Sequence, residues 1–398
     1  MINKTLKEKN KFLATILAFA VIPISGLATD IYLPSMPEMA IKLGLPENKI
    51  QLTLSLFLIS YGICQFFIGT IADAFGRYRL SIVSLFLFVL SFYWTAHTEN
   101  IYVIYFNRII QGALAGCAVV SKRAFFVDVY EGDQRKHYLS VMTIVWSLAP
   151  IIAPFIGGYL QTHFGWESNF KVLAVYAALV LLLELLFSGE TLRERKAFHM
   201  PSLVKEFEVM FKTPDFFYGM LMCGISYGMV MFYNLSGPFI IEHQLGFSAV
   251  VTGYASLIMG LAWMTGGFVG RAMIKKAFLP KIRNANFLQL FFIVLMFLSS
   301  YWISDLYSLV IFAFVSHLTA GFIFNNYFSY CIGRFPKSAG IAGGLTGGIA
   351  FVFTSVLSYA VVAMLHPFTQ RELSVGYFII AILGLIVLSI VGFRKLHS

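Results

Sequence analysis

Residues 189–215 read "GETLRERKAFHMPSLVKEFEVMFKTPD". This is the longest polar interval in the chain. On either side of it, apolar stretches of about 20 residues, the length a membrane-spanning helix needs, recur between short loops. Six fit before it, at 11–36, 50–72, 79–97, 101–127, 137–161 and 168–188. Six follow, at 215–241, 249–272, 283–303, 306–332, 338–365 and 373–393. The interval therefore divides the chain into an N-terminal bundle (1–188), a linker (189–214) and a C-terminal bundle (215–398). Within the linker, Leu203, Phe207 and Phe211 fall on one face of an amphipathic helix suited to a membrane surface.

Composition supports this reading. The chain is 59% hydrophobic and 12% charged, whereas a soluble domain carries about 25% charged residues. No segment alternates as a barrel strand does, so the spans are helices. The expectation is an all-α, multi-pass membrane protein with twelve transmembrane helices in two six-helix bundles.

Loop charges test the count. The inner segments hold 24 of the 29 Lys and Arg, including "GRYR" at 76–79, "RERK" at 193–196 and "RAMIKK" at 271–276. The outer loops hold four (Lys42, Lys49, Lys171 and Arg371), and Arg108 lies inside a span. This asymmetry puts both termini in the cytoplasm. It also explains the net charge of +10 without nucleic acid. A cleaved signal peptide ending near Gly26 and Ala28 would leave an odd number of spans, so the N-terminal segment is read as the first span. Cys64, Cys117, Cys223 and Cys331 fall in apolar runs and imply neither disulfide nor metal. No cofactor is expected, and the protein is read as a monomer.

By this count Asp30, Arg108 and Glu184 are the ionisable residues within spans. A charge in lipid is unfavourable by roughly 2.5–3.5 kcal/mol or more, so such residues face a protein interior or a cavity. With the first helix ending near Met36, Asp30 lies about 9 Å inside, and Arg108 about 10 Å inside the fourth. Similar depth permits a close approach. Asp30 then suits proton binding, because partial desolvation favours a protonated carboxyl and a neighbouring Arg opposes it. Arg108 suits a partner of the acid or a binder of substrate anions. Glu184, near the inner end of the sixth span, is read as structural.

Three motifs narrow the class: "RIIQG" at 108–112, "LAPIIAPFIGGYL" at 148–160 and "GTIADAFGRYR" at 69–79. With the six-plus-six topology, they resemble the major facilitator superfamily. "TDIYLPSMPEMA" at 29–40, the run 108–130, "GET" at 189–191 and "SGPFIIEHQLGFSAVVTGY" at 236–254 are similar to its Bcr/CflA branch, the bicyclomycin-resistance-type drug/proton antiporters. The resemblance implies proton and substrate coupling at Asp30 and a proton-transfer motif at Arg108, Gln111 and Gly112. It implies an antiporter motif at Pro150, Pro154, Gly157 and Gly158, with Ala153 replacing the usual Gly. It implies a cytoplasmic gate at Gly69, Asp73, Gly76 and Arg77, with Ala74 replacing the usual Arg. Ile22 occupies the position where some similar antiporters carry a second carboxylate.

Tyr32, Tyr227, Tyr233, Asn234, His317, Asn325, Asn326 and Tyr327 are candidates for a substrate cavity. Aromatic faces with neutral hydrogen-bonding groups suit amphipathic organic molecules. The implied function is proton-coupled export of small organic molecules, with multidrug range, from the inner membrane by alternating access. The alternative within transport is a dedicated metabolite or siderophore exporter. An integral-membrane enzyme fits poorly, because no metal cluster or nucleophile–base pair is visible. A passive channel lacks a repeated filter motif.

Overall fold

The computed structural model describes residues 4–192, 194 and 200–396. Twelve helices are long and apolar enough to cross a membrane. They are α1 (Glu8–Leu43), α2 (Glu47–Phe75), α3 (Arg77–Thr95), α4 (Ile101–Val129), α5 (Gly132–Phe164) and α6 (Glu167–Phe187), then α7 (Pro214–Gln244), α8 (Ala249–Ala272), α9 (Phe278–Ser299), α10 (Leu306–Arg334), α11 (Pro336–Leu365) and α12 (Gln370–Ile390). Among the described residues there is no strand, only an isolated parallel bridge between Thr5 and Glu190. Large apolar side chains such as Phe86, Leu90, Phe268 and Phe291 remain exposed on the outer faces. Lipid solvates these faces, and the low charge content follows from that.

The first span departs from expectation. It continues beyond Met36 to Leu43 and stops at Gly44, whose φ of 62° only a residue without a β-carbon adopts freely. Asp30 is therefore further from the end of α1 than the sequence suggested. The span is also broken. Pro23, Pro34 and Pro37 lack a backbone N–H, and α1 divides into Lys11–Val21, Ile24–Asp30, the 3-10 turn Leu33–Ser35 and Met36–Leu43.

Close crossings organise the rest. α2 meets α4, α3 meets α4 and α6, and α1 meets α5. Likewise α8 meets α10, α9 meets α10 and α12, and α7 meets α11. The two sets join where α2 packs on α11 and α5 on α8. Backbone approach decides these crossings. A β-carbon at Gly157 would overlap the Ile31 carbonyl, and one at Gly158 the Ala249 carbonyl. Small residues let helices pack closely where lipid supplies no hydrophobic drive.

The linker forms a helix over Met200–Phe211. It buries Leu203 and Met210, and Phe207 packs edge-on against Phe66 at 6.2 Å. Part of its apolar face thus docks on protein rather than on lipid alone, while Val204, Val209 and Phe211 stay exposed. Of "RERK", only Glu194 lies within the described residues.

Candidate functional site

The break in α1 leaves Asp30 at the end of a short helical piece, 2% exposed. Arg108 on α4 is fully buried beside it, yet the two do not form an ion pair. Arg108 Nη1 donates to the Ala28 carbonyl at 3.0 Å and to Gln111 Oε1 at 3.0 Å, and Nε donates to the Thr53 carbonyl at 3.3 Å. Its guanidinium lies between the Tyr32 and Phe57 rings, 4.6 and 4.4 Å from their centroids. Each such contact is worth about 2 kcal/mol when desolvated. Gln111 in turn donates to Thr95 Oγ1, and Tyr32 and Thr53 share a hydroxyl bond at 3.0 Å. The expected acid–base partnership is therefore an indirect one. Arg108 clamps α1 to α2 through backbone carbonyls, and only its long-range field reaches Asp30. Guanidinium suits this task because its planar fork carries several donors at once.

The direct partner of Asp30 comes from the other half of the chain. Asn234 Nδ2, on α7, donates to Asp30 Oδ1 at 3.4 Å. One residue on, the Leu235 carbonyl accepts from Gln51 Nε2 at 2.6 Å. Towards the same end, His243 Nδ1 meets Glu47 Oε1 at 2.9 Å. Here α7 leaves regular α geometry for a π-turn over Ile240–Gln244, a feature frequent at functional sites. Tyr159 of α5 and Tyr254 of α8 share a hydroxyl bond at 3.1 Å. The halves are thus closed on each other at the end where α1, α5 and α7 terminate. The opposite half of α5, including Gln134, Lys136 and Ile144, is exposed.

The cavity candidates separate into groups. Tyr227 sits in an aromatic cluster drawn from both halves: Trp263 at 5.6 Å, Phe351 at 5.5 Å, Phe324 at 6.0 Å and, through Phe351, Tyr61 at 4.8 Å. Asn234 reaches Asp30, and Tyr32 packs on Arg108. Tyr233 and His317 lie elsewhere, ring to ring at 5.2 Å and fully buried. His317 Nδ1 pairs with the Ala313 carbonyl at 2.8 Å, while its Nε2 and the Tyr233 hydroxyl have no protein partner. Asn325 and Asn326 bond back to carbonyls of their own helix, against Gly267 and Gly270 of α8. Tyr327 packs edge-on to Phe278. The sequence reading missed Tyr61, Trp263, Phe324 and Phe351. Aromatics are too common here for any one to stand out.

At the opposite end of the first half, Gly76 turns the α2–α3 connection with φ 97°. Arg77 ion-pairs with Asp73 at 3.1 Å and with Asp128 of α4, and donates to the Ala124 carbonyl. The Arg77 backbone N–H donates to Glu190 of "GET", and Thr191 bonds Asp128 at 3.0 Å. Nothing lies within 4 Å of a β-carbon at Gly69, so no close approach explains that glycine. Lys122 corrects the count of buried charges. It was counted with the inner loops, but it is buried in α4 and ion-paired at 2.6 Å to Glu184. Glu184 is thereby held in a structural pair, as expected.

Twelve spanning helices, a broken first helix with a buried carboxylate and two halves meeting at one end define a membrane transporter. The profile of the Major Facilitator Superfamily matches residues 18–358, and the chain belongs to that family. It is 29% identical over 394 residues to the "Uncharacterized MFS-type transporter YdgK" of Bacillus subtilis (strain 168), covering 96% of this chain and 95% of that one. It is 25% identical over 387 residues to the "Multidrug resistance protein D" of Escherichia coli (strain K12), again 96% and 95%. The crystal structure of a D-xylose–proton symporter shares the fold, with a TM-score of 0.73 at 15% identity over 94% of this chain and 97% of that one.

Proposed function

We propose that this protein exports small amphipathic organic molecules, with multidrug range, in exchange for protons. The observation that carries this is Asp30: a buried carboxylate on a broken helix, bonded across the two halves to Asn234 and within electrostatic reach of Tyr227 in the aromatic cluster. A carboxylate so placed binds a proton or a cationic cargo, but not both. Exclusive occupancy of one site is sufficient for exchange. Aromatic walls with few polar groups tolerate varied lipophilic cargo. The drug-resistance relative and the motifs similar to the Bcr/CflA branch support the same reading.

Transport then follows alternating access. The halves 1–188 and 215–398 rock about the α2–α11 and α5–α8 crossings, joined by the linker 189–214. Pro150, Pro154, Gly157 and Gly158 let α5 slide against α1 and α8. Asp73, Gly76 and Arg77, with Asp128 and Glu190, brace the inner end of the first half. The protein acts as a monomer in the inner membrane with both termini cytoplasmic, so the closed end faces outward. Protons entering down their gradient drive the cargo out.

Proteoliposomes test this. An imposed pH gradient is expected to drive efflux of ethidium, a lipophilic planar cation, and Asp30→Asn to abolish it. Gradient-driven efflux that survives in Asp30→Asn would sink the coupling role. A deletion strain with unchanged drug sensitivity but a lost secreted metabolite, a siderophore included, would replace multidrug range with a dedicated cargo.

A further inference from the structure

Asp30 and Arg108 do not pair directly, so the protonation state of Asp30 must reach the second half by another route. One polar contact to Asp30 crosses between the halves, from Asn234 Nδ2 to Oδ1 at 3.4 Å. Both side chains are buried, at 9% and 2% exposure. The next residue of α7 is tied to α2 by Gln51 Nε2 at 2.6 Å from the Leu235 carbonyl. α2 and α1 are in turn fixed together by Arg108 through the Thr53 and Ala28 carbonyls. The contacts form a closed ring: Asp30, Asn234, Leu235, Gln51, then α2, Arg108, and α1 again. Three sides of the ring end on backbone carbonyls, which do not titrate. The Asp30–Asn234 side alone ends on a group that gains or loses charge.

We propose that Asn234 is the positioning residue that locks the empty carrier. When Asp30 is ionised and unoccupied, the amide donates to it and holds α7 against α1, closing the end where both helices terminate. A proton on Asp30, or a cationic cargo against it, removes the free anionic acceptor and releases α7. A donor bond to a charged acceptor is stronger than one to a neutral acceptor, so neutralisation shifts the population toward opening. The lock supplies the rule exchange requires: the carrier reorients with a proton or with cargo, and not empty. This rests on the reading of Asp30 as the proton site. The other titratable or charged groups in electrostatic contact with Asp30 are Arg108 of α4, Tyr32 of its own span and Tyr227 of α7. They are present in both states and do not bridge α1 to α7 by a bond.

The test is hydrogen–deuterium exchange on the full chain in lipid nanodiscs over a pH series, corrected for the intrinsic rate. It reads the segments 47–55 and 235–244. In the wild type, exchange there is expected to rise as pH falls through a single midpoint. Asp30→Asn should give high exchange at every pH. Asn234→Leu, similar in size but without a donor, removes the same bond from its other end and should likewise give high exchange at every pH. Asn234→Asp, isosteric and therefore the variant to use if Leu does not fold, should leave exchange high at neutral and higher pH, because like charges repel where the wild type is locked. Loss of the wild type's low exchange above its midpoint in these variants supports the lock. A wild-type pH response retained in both variants, with Asp30→Asn still pH-independent, overturns the lock and leaves Asp30 as the proton site. A pH response that persists in Asp30→Asn overturns both.

Discussion

The α4 and α10 crossings solve one packing problem with different chemistry. At Gly112, α4 meets α2 so closely that a β-carbon would overlap the Phe57 carbonyl; at Gly321, α10 meets α8 and would overlap the Trp263 carbonyl. Four residues before each glycine, one turn back on the same face, sits a buried basic residue: Arg108 in the first half and His317 in the second. Arg108 reaches outward and bonds carbonyls of two other helices. His317 bonds only the carbonyl of Ala313 on its own helix, and its second nitrogen is left unpartnered. The same position is therefore an interhelical clamp in one half and a self-contained side chain in the other. The difference gives the first half a buried cation that ties three helices together and the second half no such tie at the matching position.

The largest effect should come from the clamp. Arg108→Met removes every donor, leaves the Ala28 carbonyl near the end of its short helical piece buried without that partner at about 1–3 kcal/mol, and forfeits two ring contacts of about 2 kcal/mol each; the Thr53 carbonyl stays within the helical ladder of α2. A loss of about 4 kcal/mol in stability is expected, together with loss of transport, read by thermal unfolding in detergent and by proteoliposome efflux. Arg108→Lys should rescue little, because an ammonium cannot lie flat between the Tyr32 and Phe57 rings while bonding two carbonyls. Full rescue by Lys would mean that charge alone matters, and the contrast with His317 would collapse.

The glycines should behave alike where the basic residues differ. Gly112→Ala and Gly321→Ala each push a methyl into a backbone carbonyl, which cannot move aside as a side chain can. Overpacking costs about 1–3 kcal/mol, and the upper end is expected at both positions. Equal losses in unfolding temperature would show that the two crossings are equivalent in packing. A tolerated Gly321→Ala beside a crippled Gly112→Ala would show that the second half's crossing yields, and that the resemblance between them is superficial.

Much of this was legible in the sequence, but unevenly. Apolar length and loop charge located the twelve spans, because lipid permits few other arrangements. The end of the first helix was misjudged because apolar length put it near Met36, whereas the helix resumes at Met36 and runs to Leu43. Lys122 escaped because it lies near the inner end of its span, where a lysine normally marks the interface; only its pairing with Glu184 shows that it is buried. Asp128 and Glu190 stood inside the quoted motifs, but their meeting at Arg77 depends on how α4, the α2–α3 turn and the linker fold together. The cavity was least legible. Tyr233 and Asn234 are adjacent in sequence yet point to different places, one to His317 and one to Asp30. Helical geometry separates neighbours by about 100°, so choosing between them requires the helix rotation, and α7 is buried too evenly to reveal it.

The smallest effect, and the sharpest contrast with Arg108, is expected at His317. A buried unpartnered nitrogen is unfavourable by about 1–3 kcal/mol, and replacing it with an apolar group of similar shape is often neutral or stabilising. His317→Phe keeps the ring against Tyr233 and discards both nitrogens. The Ala313 carbonyl it leaves is not orphaned, because it remains within the helical ladder. Stability should therefore change by no more than about 1 kcal/mol in either direction, with gradient-driven efflux of ethidium retained. Loss of efflux at unchanged unfolding temperature would show instead that Nε2 serves the cargo or the proton. The second half would then hold a chemical site of its own, and α10 would have to be read as the functional counterpart of α4 rather than as its packing counterpart.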